Sequence, residues 1–360
     1  MIFTGDIASP NDQTTRLLIE FLKAQNTIFA KKCFVGNLEG LLSDRVPSTD
    51  NQPVLSNHTS LPCSMKEMIQ PVFCLANNHV LDLPGAFDST LNILKKESIP
   101  FSGAGRSMKE ALAPLFFKDG DKEVLLFNAC WDFLLYNHKN PTNEVYVGEI
   151  DEDWMISEVS RYRIARPESS IVVYLHWSFD LETLPFPIHR QFSRALVDAG
   201  AKVVVGTHSH CVQGGEKYKD GYIVYGLGNF FLPHHHYASG NLAFPAFSNM
   251  QLALEWDPST GEASCHWIEY QYSKGNHSLH YLGSELFEDS DKLDSYSPFQ
   301  KMSDKEYYRY FKKNRRKKIL IPVYTDYKRR VRNKIYTWFL IRRALFARSL
   351  AKMKLINWQH

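Results

Sequence analysis

The fold of this chain is most constrained by a series of short apolar runs, each of which ends in a side chain able to bind a metal. In the clearest case, residues 202–205 are rich in valine and predict a strand covered on both faces, which Gly206 ends. His208 and His210 follow, two residues apart. If this segment is extended, alternate side chains share a face and both imidazoles point at one object. An isolated pair of this kind also occurs as two solvated histidines in a turn.

The same arrangement recurs at four other predicted strands, residues 1–5, 33–35, 72–76 and 171–175. The side chains at the ends of these strands are Asp6, Asn37 with Glu39, Asn78 with His79, His176, and His208 with His210. Open α/β sheets place their ligands at the carboxyl ends of the strands, so we expect these side chains to lie together. Mixed oxygen and nitrogen ligands suit Mn, Fe or Zn better than Ca or Mg, and the shortage of thiolates argues against a structural zinc site.

The intervening residues complete the prediction of an α/β fold. Helices are expected at 11–30, 86–97 and 188–199, and the last of these completes a βαβ unit between two of the strands. A turn at Gly36 is expected to leave Asn37 and Glu39 exposed at its tip. Further strands are expected at 99–105, 124–129, 222–226 and 250–256, the last of them half-solvated. A long irregular loop is expected at 42–59, of a length that is uncommon unless the loop serves a site or is disordered, and a solvated loop around the three histidines at 234–236.

The composition is that of a soluble globular protein, with 44% hydrophobic and 22% charged residues in 360. The six cysteines are scattered and form no CxxC pair, which predicts reduced thiols in the core of a cytosolic protein. A strand predicted from residue 1 leaves no room for a signal peptide, and the most apolar stretch, 337–341, is followed at once by Arg342 and Arg343. We therefore expect a cytoplasmic location.

The charge of the chain is unevenly distributed. Residues 301–360 contain 19 of the 42 Lys and Arg residues but only three of the 39 Asp and Glu residues. An acidic body is thus followed by a basic tail, in which we expect one helix at 305–320, a break at Pro322 and a second helix at 326–358. The apolar residues at helical spacing in the second helix are Val331, Ile335, Trp338, Phe339, Leu345, Phe346, Leu350 and Met353.

Two interpretations of the tail remain open. A basic amphipathic helix with aromatic residues suits an anionic membrane surface, which would place the protein peripherally on the inner face of the membrane. Alternatively, the two helices pack on the acidic body. We expect no nucleic acid partner, because the sequence contains no motif that reads DNA or RNA.

Together, the motifs GNLEG, LANNHVLD, LHW and GTHSHCVQGGEKYKDGYIVYGLGNFF resemble the bacterial capsule synthesis protein family, CapA or PGA_cap. That family is similar to the calcineurin-like metallophosphoesterases, and the resemblance covers residues 1–231. It implies a four-layer α/β/β/α sandwich of the metallo-dependent phosphatase type with a binuclear metal centre at the strand ends. We accordingly divide the chain into a CapA-like metallophosphoesterase domain at 1–300 and a C-terminal basic helical tail at 301–360.

The resemblance also assigns roles to residues of this chain. It implies metal binding by the following residues, for which an N-cap, a turn or a buried structural histidine is the alternative: Asp6, Glu39, Asn78, His176, His208 and His210. It implies that His79 is catalytic. The residues expected to contact substrate or to support the ligands are Asn37, Asn77, Asp82 and Asn229, of which Asp82 could also cap a helix and Asn229 could also serve a turn.

Several positions depart from the pattern of the relatives. Ala8 stands where the phosphoesterases have the histidine of their DxH motif, and Asn37 replaces the bridging aspartate of the second motif. Ser178 and Ser209 replace a glycine and a proline. The acidic residue that relatives carry soon after HWG has no clear match, although Glu182 is near. These departures favour one divalent metal ion over two.

Two functions follow from the resemblance. The first is a metal-dependent hydrolase, a phosphoesterase that acts on a capsule or surface polymer, poly-γ-glutamate or polysaccharide, or on its phosphorylated precursor. The second is a non-catalytic, membrane-associated scaffold in a capsule assembly complex. The presence of His79 together with three histidine ligands favours chemistry, whereas the substituted second motif favours the scaffold.

Overall fold

The computed structural model describes residues 1–45, 54–136, 144–237, 240–318 and 320–353. Parts of the loop expected at 42–59 and the end of the helix expected at 326–358 lie outside these residues.

The strands are β1 Ile2–Ile7, β2 Cys33–Leu38, β3 Leu41–Leu42, β4 Ser56–Asn57, β5 Gln70–Cys74, β6 Phe101–Ser102, β7 Ala104–Gly105, β8 Leu115–Asp119, β9 Lys122–Cys130, β10 Tyr146–Val147, β11 Ser170–His176, β12 Val203–Thr207, β13 Gly215–Tyr218, β14 Gly221–Val224, β15 Asn229–Phe231, β16 Met250–Trp256, β17 Ala263–Ser273 and β18 Asn276–Leu286. The helices are α1 Asp12–Ala24, α2 Asn26–Phe29, α3 Leu61–Lys66, α4 Phe87–Lys96, α5 Met108–Ala111, α6 Glu152–Ala165, α7 Pro187–Asp198, α8 Asp291–Tyr296, α9 Asp304–Asn314 and α10 Arg330–Lys352.

Most of the strands form two large sheets. Sheet I has the order β18-β17-β16-β1-β2-β5-β6, with β15 also paired to the end of β1. Its strands β1, β2, β5 and β6 are parallel, whereas β16, β17 and β18 form an antiparallel extension. Sheet II has the order β13-β14-β12-β11-β9-β8, with β14, β12, β11 and β9 parallel. Both sheets therefore have parallel centres, whose carboxyl ends can carry a site.

Three apolar clusters show how the sheets and helices are layered. One cluster combines inward-facing residues of both sheets, such as Phe3 and Val35 from sheet I with Val172 and Val205 from sheet II. A second packs α1, α3 and α4 on the outer face of sheet I. The third packs α6, α7, α9 and α10 on the outer face of sheet II. The expected four-layer α/β/β/α arrangement is therefore confirmed, because each sheet buries one face on the other sheet and one face under helices.

Strand β2 differs from its prediction. It continues through Gly36 to Leu38, because Asn37 pairs with Asp6 of β1 on one side and with Cys74 of β5 on the other. A Cβ added at Gly36 would lie only 2.8 Å from the Thr4 hydroxyl oxygen, so this glycine permits close packing and does not turn the chain. The expected exposed tip was therefore wrong, since the side chains of Asn37 and Glu39 are buried.

Other differences concern the segments around the strands. The helix expected at 11–30 is divided at Gln25 into α1 and α2. Strand β16 is almost wholly buried, although its sequence alternates like a half-solvated strand, because it lies between β1 and β17 and is covered on both faces. The long β17–β18 hairpin was not predicted. All six cysteines are free thiols, as expected, but Cys63 is exposed.

Two buried polar side chains join the sheets directly beneath the strand ends. The Tyr174 hydroxyl donates to the Thr4 carbonyl oxygen at 2.5 Å and accepts from the Asn37 N–H at 3.0 Å. The Asn128 amide accepts from the Ala76 N–H and donates to the Tyr174 carbonyl oxygen. Because buried polar groups are costly unless they are paired, these bonds hold the sheets in one register at this edge.

The residues after 300 share the core of the body. Tyr307 and Phe311 of α9 are buried in the cluster on sheet II, and the Tyr307 hydroxyl donates to the Pro185 carbonyl oxygen at 2.5 Å. Helix α9 ends at Asn314, earlier than the predicted end at 320, because the backbone N–H groups of Arg316 and Lys317 bond to a buried side chain described below.

Helix α10 packs on the body through one face only. Leu340 is buried in the cluster on sheet II, Ala344 is also buried, and Arg330 forms an ion pair with Asp153. The large apolar side chains that α10 leaves exposed are Val331, Ile335, Trp338, Phe339, Leu345 and Phe346, with Met353 just beyond its end. Among the described helices, none has both the length and the apolar character needed to cross a bilayer.

Candidate metal centre

The carboxyl ends of strands from both sheets meet at one edge of the sandwich. Sheet I brings Asp6 on β1 together with the segments that follow β2 and β5, and sheet II brings the end of β11 and the loop after β12. The expected side chains that converge there are Asp6, Asn37, Glu39, Asn77, Asn78, His79, Asp82, His176, His208, His210 and Asn229. The parallel registers explain this convergence, because they set the strand ends side by side.

Two of the carboxylates at this edge are completely buried. Asp6 accepts from the Asn37 amide at 2.7 Å and from the His208 N–H at 3.1 Å. Neither carboxylate oxygen of Glu39 has a hydrogen-bond partner among the described residues. Burial raises the pKa of both carboxyls, and in Glu39 the nearby charges of Asp6, Asp180 and Asp82 raise it further. Such a carboxylate is costly to bury unless a cation compensates it.

Three buried histidines face these carboxylates. The nearer nitrogens of His176 lie 3.8 Å from Asp6 Oδ1 and 3.9 Å from Glu39 Oε1, and Nδ1 of His210 lies 3.6 Å from Asp6 Oδ2. Burial lowers the pKa of His176 well below its ordinary value and that of His208 to about 4, so both imidazoles are neutral at pH 7. A neutral imidazole is the form that binds a metal.

His208 and His210 converge for a different reason from the one expected. Both have positive φ, +81° and +54°, so the segment after β12 is not extended. Residues other than glycine pay about 1–3 kcal/mol to hold such conformations, and such strain persists where the surroundings impose it. Here the His208 N–H is held by Asp6, and Asn229 holds the ring of His210. The prediction that both rings face one site holds, but its argument from strand alternation was wrong.

Asp180 belongs to this centre and was not predicted. Its Oδ1 lies 3.1 Å from His208 Nε2 and 3.8 Å from His210 Nε2, and its side chain is partly exposed. The signal was its place four residues after His176, where the motif HWSFD ends. Glu182, the acidic residue noted as near, is buried elsewhere and bonds to backbone N–H groups, including those of Arg316 and Lys317.

A network of amides supports the ligand side chains. Asn77 donates to the Asn37 side-chain oxygen at 3.0 Å, and Asn37 in turn donates to Asp6. Asn229, which pairs with Asp6 through β15, accepts from His210 Nδ1 at 2.8 Å and so leaves Nε2 directed to the centre. Outer partners of this kind fix the ring orientation and tautomer of a metal-binding histidine.

His79 lies at the open side of the centre with a partner of its own. Its Nδ1 is 2.6 Å from Asp82 Oδ2, and its Nε2 is 4.0 Å from Glu39 Oε1. Burial would lower the pKa of His79, but the neighbouring carboxylates, Asp82 first among them, raise it. Asp82 also accepts from the Leu55 N–H, so it supports His79 and does not cap a helix. Next to His79, Asn78 places its side-chain oxygen 2.7 Å from His176 Nε2.

The donor set fits a divalent cation. Glu39, His208 and His210 each offer a ligand atom, and these atoms lie within 4.8 Å of one another. Three buried atoms in this region, both oxygens of Glu39 and Nδ1 of His208, lack a hydrogen-bond partner among the described residues. Since buried polar atoms are normally paired, these atoms are the ones that a cation would satisfy.

The loop with three consecutive histidines lies beside the centre. His234 is buried and packs on Tyr270 of β17, whereas His235 is exposed, so the expectation of a fully solvated loop was wrong for His234. The Phe244 N–H donates to His234 Nε2, and the Phe244 ring lies 4.7 Å from the ring of His210. The loop therefore helps to cover His210.

Comparison with known proteins extends these observations. Residues 1–233 match the family described as bacterial capsule synthesis protein PGA_cap, and this segment carries all the strand-end side chains named above. The capsule biosynthesis protein CapA of Bacillus anthracis is 28% identical over 206 residues, 54% of this chain and 49% of that protein. The PGA biosynthesis protein CapA of Bacillus subtilis (strain 168) is 29% identical over 168 residues, 46% of this chain and 43% of that protein.

The chain spans about half the length of these curated relatives. Among solved structures, a putative 5'-nucleotidase from Staphylococcus aureus overlaps 83% of this chain and 58% of its own, with 12% identity and a TM-score of 0.39. A similarity of that size says nothing about function.

Proposed function

The chain belongs to the family of bacterial capsule synthesis proteins described as PGA_cap, and on that premise we propose that it is a metal-dependent hydrolase, a phosphoesterase, that acts in the formation of capsule or another surface polymer. The observation that carries this proposal is the buried pair of Asp6 and Glu39 facing three histidines. A purely structural role does not explain a buried carboxylate whose oxygens are both unpaired. A cation held between such ligands does.

The residues that would hold Mn, Fe or Zn are Asp6, Glu39, Asn78, His176, His208 and His210, together with Asp180. When bound, one or two such cations supply hydroxide at neutral pH and stabilise charge on a phosphoryl oxygen. The residues around them keep this donor set in place: Asn37 holds Asp6, and Asn229 holds the ring of His210. Asn77 donates a hydrogen bond to the Asn37 side-chain oxygen and so supports Asp6 indirectly.

His79 is suited to donate a proton to the leaving oxygen. It lies beside the ligands, its side chain is 15% exposed, and Asp82 binds its Nδ1, which leaves Nε2 on the side of Glu39 and the centre. Asp82 thus sets both the ring orientation and the tautomer, as the third member of a catalytic triad does. Proton transfer by a side chain positioned in this way typically contributes about 10²–10⁴-fold to a rate.

The proposed substrate is a phosphorylated precursor of the polymer or the polymer itself, poly-γ-glutamate or polysaccharide. The names of the relatives, which refer to capsule and PGA biosynthesis, support that choice of pathway. The centre supports the choice of chemistry, because its ligands are the oxygen and nitrogen donors used in phosphoester hydrolysis.

The direct test is a screen of phosphomonoesters and phosphodiesters with the full chain loaded separately with Mn, Fe or Zn. We expect metal-dependent hydrolysis that Glu39→Gln reduces to background. The matched control is His280→Gln, which changes an exposed histidine on β18 and should retain the wild-type rate. If the loaded wild type hydrolyses no phosphoester in either class, the hydrolase proposal is wrong and the scaffold role becomes the better account.

The exposed apolar side chains of α10 support an association with the membrane, whether the protein is a hydrolase or a scaffold. Helix α10 exposes Trp338, Phe346 and other apolar side chains between arginines, and aromatic and basic residues together favour an anionic lipid surface. We therefore propose that α10 holds a cytoplasmic protein against the inner leaflet. Because α9 shares the core of the body, the test uses the full chain: Trp338→Ser with Phe346→Ser should abolish flotation with anionic liposomes. Equal flotation of wild type and variant would contradict this proposal.

A further inference from the structure

The loop after β11 carries two acidic residues with different partners. Asp180 faces His208 and His210 in the metal centre. Glu182, two residues further on, is completely buried and accepts hydrogen bonds from backbone N–H groups. The four donors and their distances are Thr183 at 3.1 Å, Leu184 at 3.3 Å, Arg316 at 3.1 Å and Lys317 at 2.9 Å. This one carboxylate therefore ties a loop of the metal centre to the basic tail.

The tie fixes the backbone of Arg316 and Lys317 beside the centre. Hydrogen bonds to a carboxylate are roughly twice as strong as neutral ones, so this attachment is firm. The Cys211 thiol, next in sequence to His210, also donates to the Glu182 carbonyl oxygen at 3.2 Å. Residues 316–317 are thus linked through Glu182 to Cys211, which lies in the loop that carries His208 and His210.

The Arg316 side chain packs on the segment that follows the three-histidine loop. The Arg316 guanidinium carbon lies 4.1 Å from the centre of the Phe247 ring, and its side chain is exposed. Phe247 comes three residues after Phe244, whose ring lies 4.7 Å from the ring of His210. The backbone of Lys317 is fixed next to Arg316 by the same Glu182 carboxylate. Both cations are therefore carried by a segment that is attached to the loop of His208 and His210.

The neighbouring basic side chains of the tail donate hydrogen bonds to carbonyl oxygens of the tail itself. Lys318 donates its Nζ to the Lys313 carbonyl oxygen at 2.8 Å, and buried Arg315 donates to the Ile321 carbonyl oxygen at 2.9 Å. In the part of the chain that the structure describes, no carboxylate forms an ion pair with Arg316 or Lys317. Two cations whose side chains form no ion pair with a described residue, held at the edge of an acidic centre, suit an anionic ligand.

We propose that Arg316 and Lys317 form an oxyanion subsite at the edge of the metal centre, which binds a phosphate or carboxylate group of the substrate. This subsite rests on the proposed function, and it explains why a buried glutamate anchors the tail to the centre. It lies outside residues 1–233, which match the family, so it is a contribution of the C-terminal segment to the site. Glu182 acts on it as a positioning residue.

The test uses full-length, metal-loaded protein with Arg316→Gln and Lys317→Gln combined. We expect the KM for a phosphoester and the Kd for inorganic phosphate, measured by calorimetry, to rise about tenfold, because charge-assisted hydrogen bonds are lost. The kcat and the metal content should stay close to those of the wild type. Lys318→Gln removes the same charge one residue away and should change neither constant. Glu182→Gln should raise KM in the same direction.

The failure of this inference can be told apart from that of the proposed function. If the wild type hydrolyses phosphoesters and the double variant has an unchanged KM, the subsite is wrong while the hydrolase stands. If the wild type hydrolyses nothing, calorimetry with inorganic phosphate and with tri-glutamate still decides the matter. Weaker binding of either probe by the double variant supports the subsite and shows which oxyanion it prefers. Equal binding of both probes by wild type and variant overturns it.

Discussion

The molecule contains two groups of histidines whose surroundings differ. The strand-end cluster consists of His176, His208 and His210, which face the buried carboxylates of Asp6 and Glu39. The loop cluster consists of His236 and His277, whose Nε2 atoms lie 3.3 Å apart between β18 and the loop after β15. Both clusters bring histidine rings close together, so the residue type alone does not distinguish them.

Their hydrogen bonds separate them. In the loop cluster, Nδ1 of His277 bonds to the Tyr270 hydroxyl and Nδ1 of His236 lies 3.4 Å from the Asn11 amide, while the facing Nε2 atoms bond to each other. In the strand-end cluster, both oxygens of Glu39 and one nitrogen of His208 have no partner among the described residues. Buried charge without a partner, and not the number of histidines, therefore identifies a candidate metal centre.

The largest effect is expected from Glu39→Gln. The variant should lose metal binding and all measurable hydrolysis, because the charge that completes the donor set is removed. Without metal, however, it should be at least as stable as the wild type, since burying an unpaired carboxylate costs free energy. Thermal unfolding with and without metal checks both parts: metal should raise the Tm of the wild type only. A variant that is much less stable than metal-free wild type would show that Glu39 has a structural role.

His79→Gln should separate catalysis from metal binding within the strand-end cluster. Because His79 is placed beside the ligands with Asp82 behind it, we expect kcat to fall by about 10²–10⁴-fold while the metal content stays unchanged. Asp82→Asn should also lower kcat but by a smaller factor, since it disturbs the orientation and the tautomer of His79 without removing the imidazole. Loss of metal from the His79 variant would instead make this residue a ligand.

Asn229→Ala should weaken the metal site without removing a ligand. Asn229 holds Nδ1 of His210, and removing such an outer partner typically costs about 10–100-fold in metal affinity. Asn276→Ala, at the exposed start of β18, is the matched control and should leave the affinity unchanged. An Asn229 variant with wild-type affinity would mean that His210 is oriented by other contacts.

The loop cluster should affect stability at acidic pH. Burial, together with His236 and His235, lowers the pKa of His277 to about 4 from an ordinary value of 6.5. The unfolded chain therefore binds a proton at pH values where the folded chain does not, and the stability that neutral His277 contributes is lost as the pH falls from 6.5 towards 4. His277→Gln should reduce the difference in Tm between pH 7 and pH 4.5. An unchanged difference would exclude this histidine as a cause.

The smallest effect is expected from His236→Ala. If the loop cluster binds no metal, this substitution should leave the metal content and the kcat of the protein unchanged. Its cost in stability should be about 1 kcal/mol, the usual value of a single hydrogen bond. Loss of a metal equivalent would contradict the distinction between the two clusters, because it would show that two facing histidines suffice to bind metal in this protein.

The order of strand ends along the chain predicted both the fold and most of the centre. Parallel strands bring their carboxyl ends together whatever the details of the loops, so Asp6, His176 and the later histidines could be placed without coordinates. Burial at the end of β2 could not be predicted in this way. Whether Asn37 is exposed depends on its pairing with both neighbours, which is a long-range contact.

The positions of Asp180 and of residues 316–317 could not be predicted from the sequence, for related reasons. Asp180 lies within an irregular segment that has positive φ at Ser178 and Leu181, and no periodic pattern indicates where such a segment points. The basic run at 315–318 has the composition of a helix. However, the buried carboxylate of Glu182 accepts hydrogen bonds from the N–H groups of Arg316 and Lys317, and the helix ends before them. Contacts between residues far apart in the sequence decide both cases.

The central claim is that the strand-end cluster, and not the loop cluster, holds a divalent metal. The most direct measurement is elemental analysis of full-length protein purified without a histidine tag, for wild type, His208→Ala and His236→Ala. We predict one or two equivalents of Mn, Fe or Zn in the wild type and in His236→Ala, and loss of that metal in His208→Ala. Wild-type protein that holds no metal even after loading, or His208→Ala that retains the full amount, would contradict the claim.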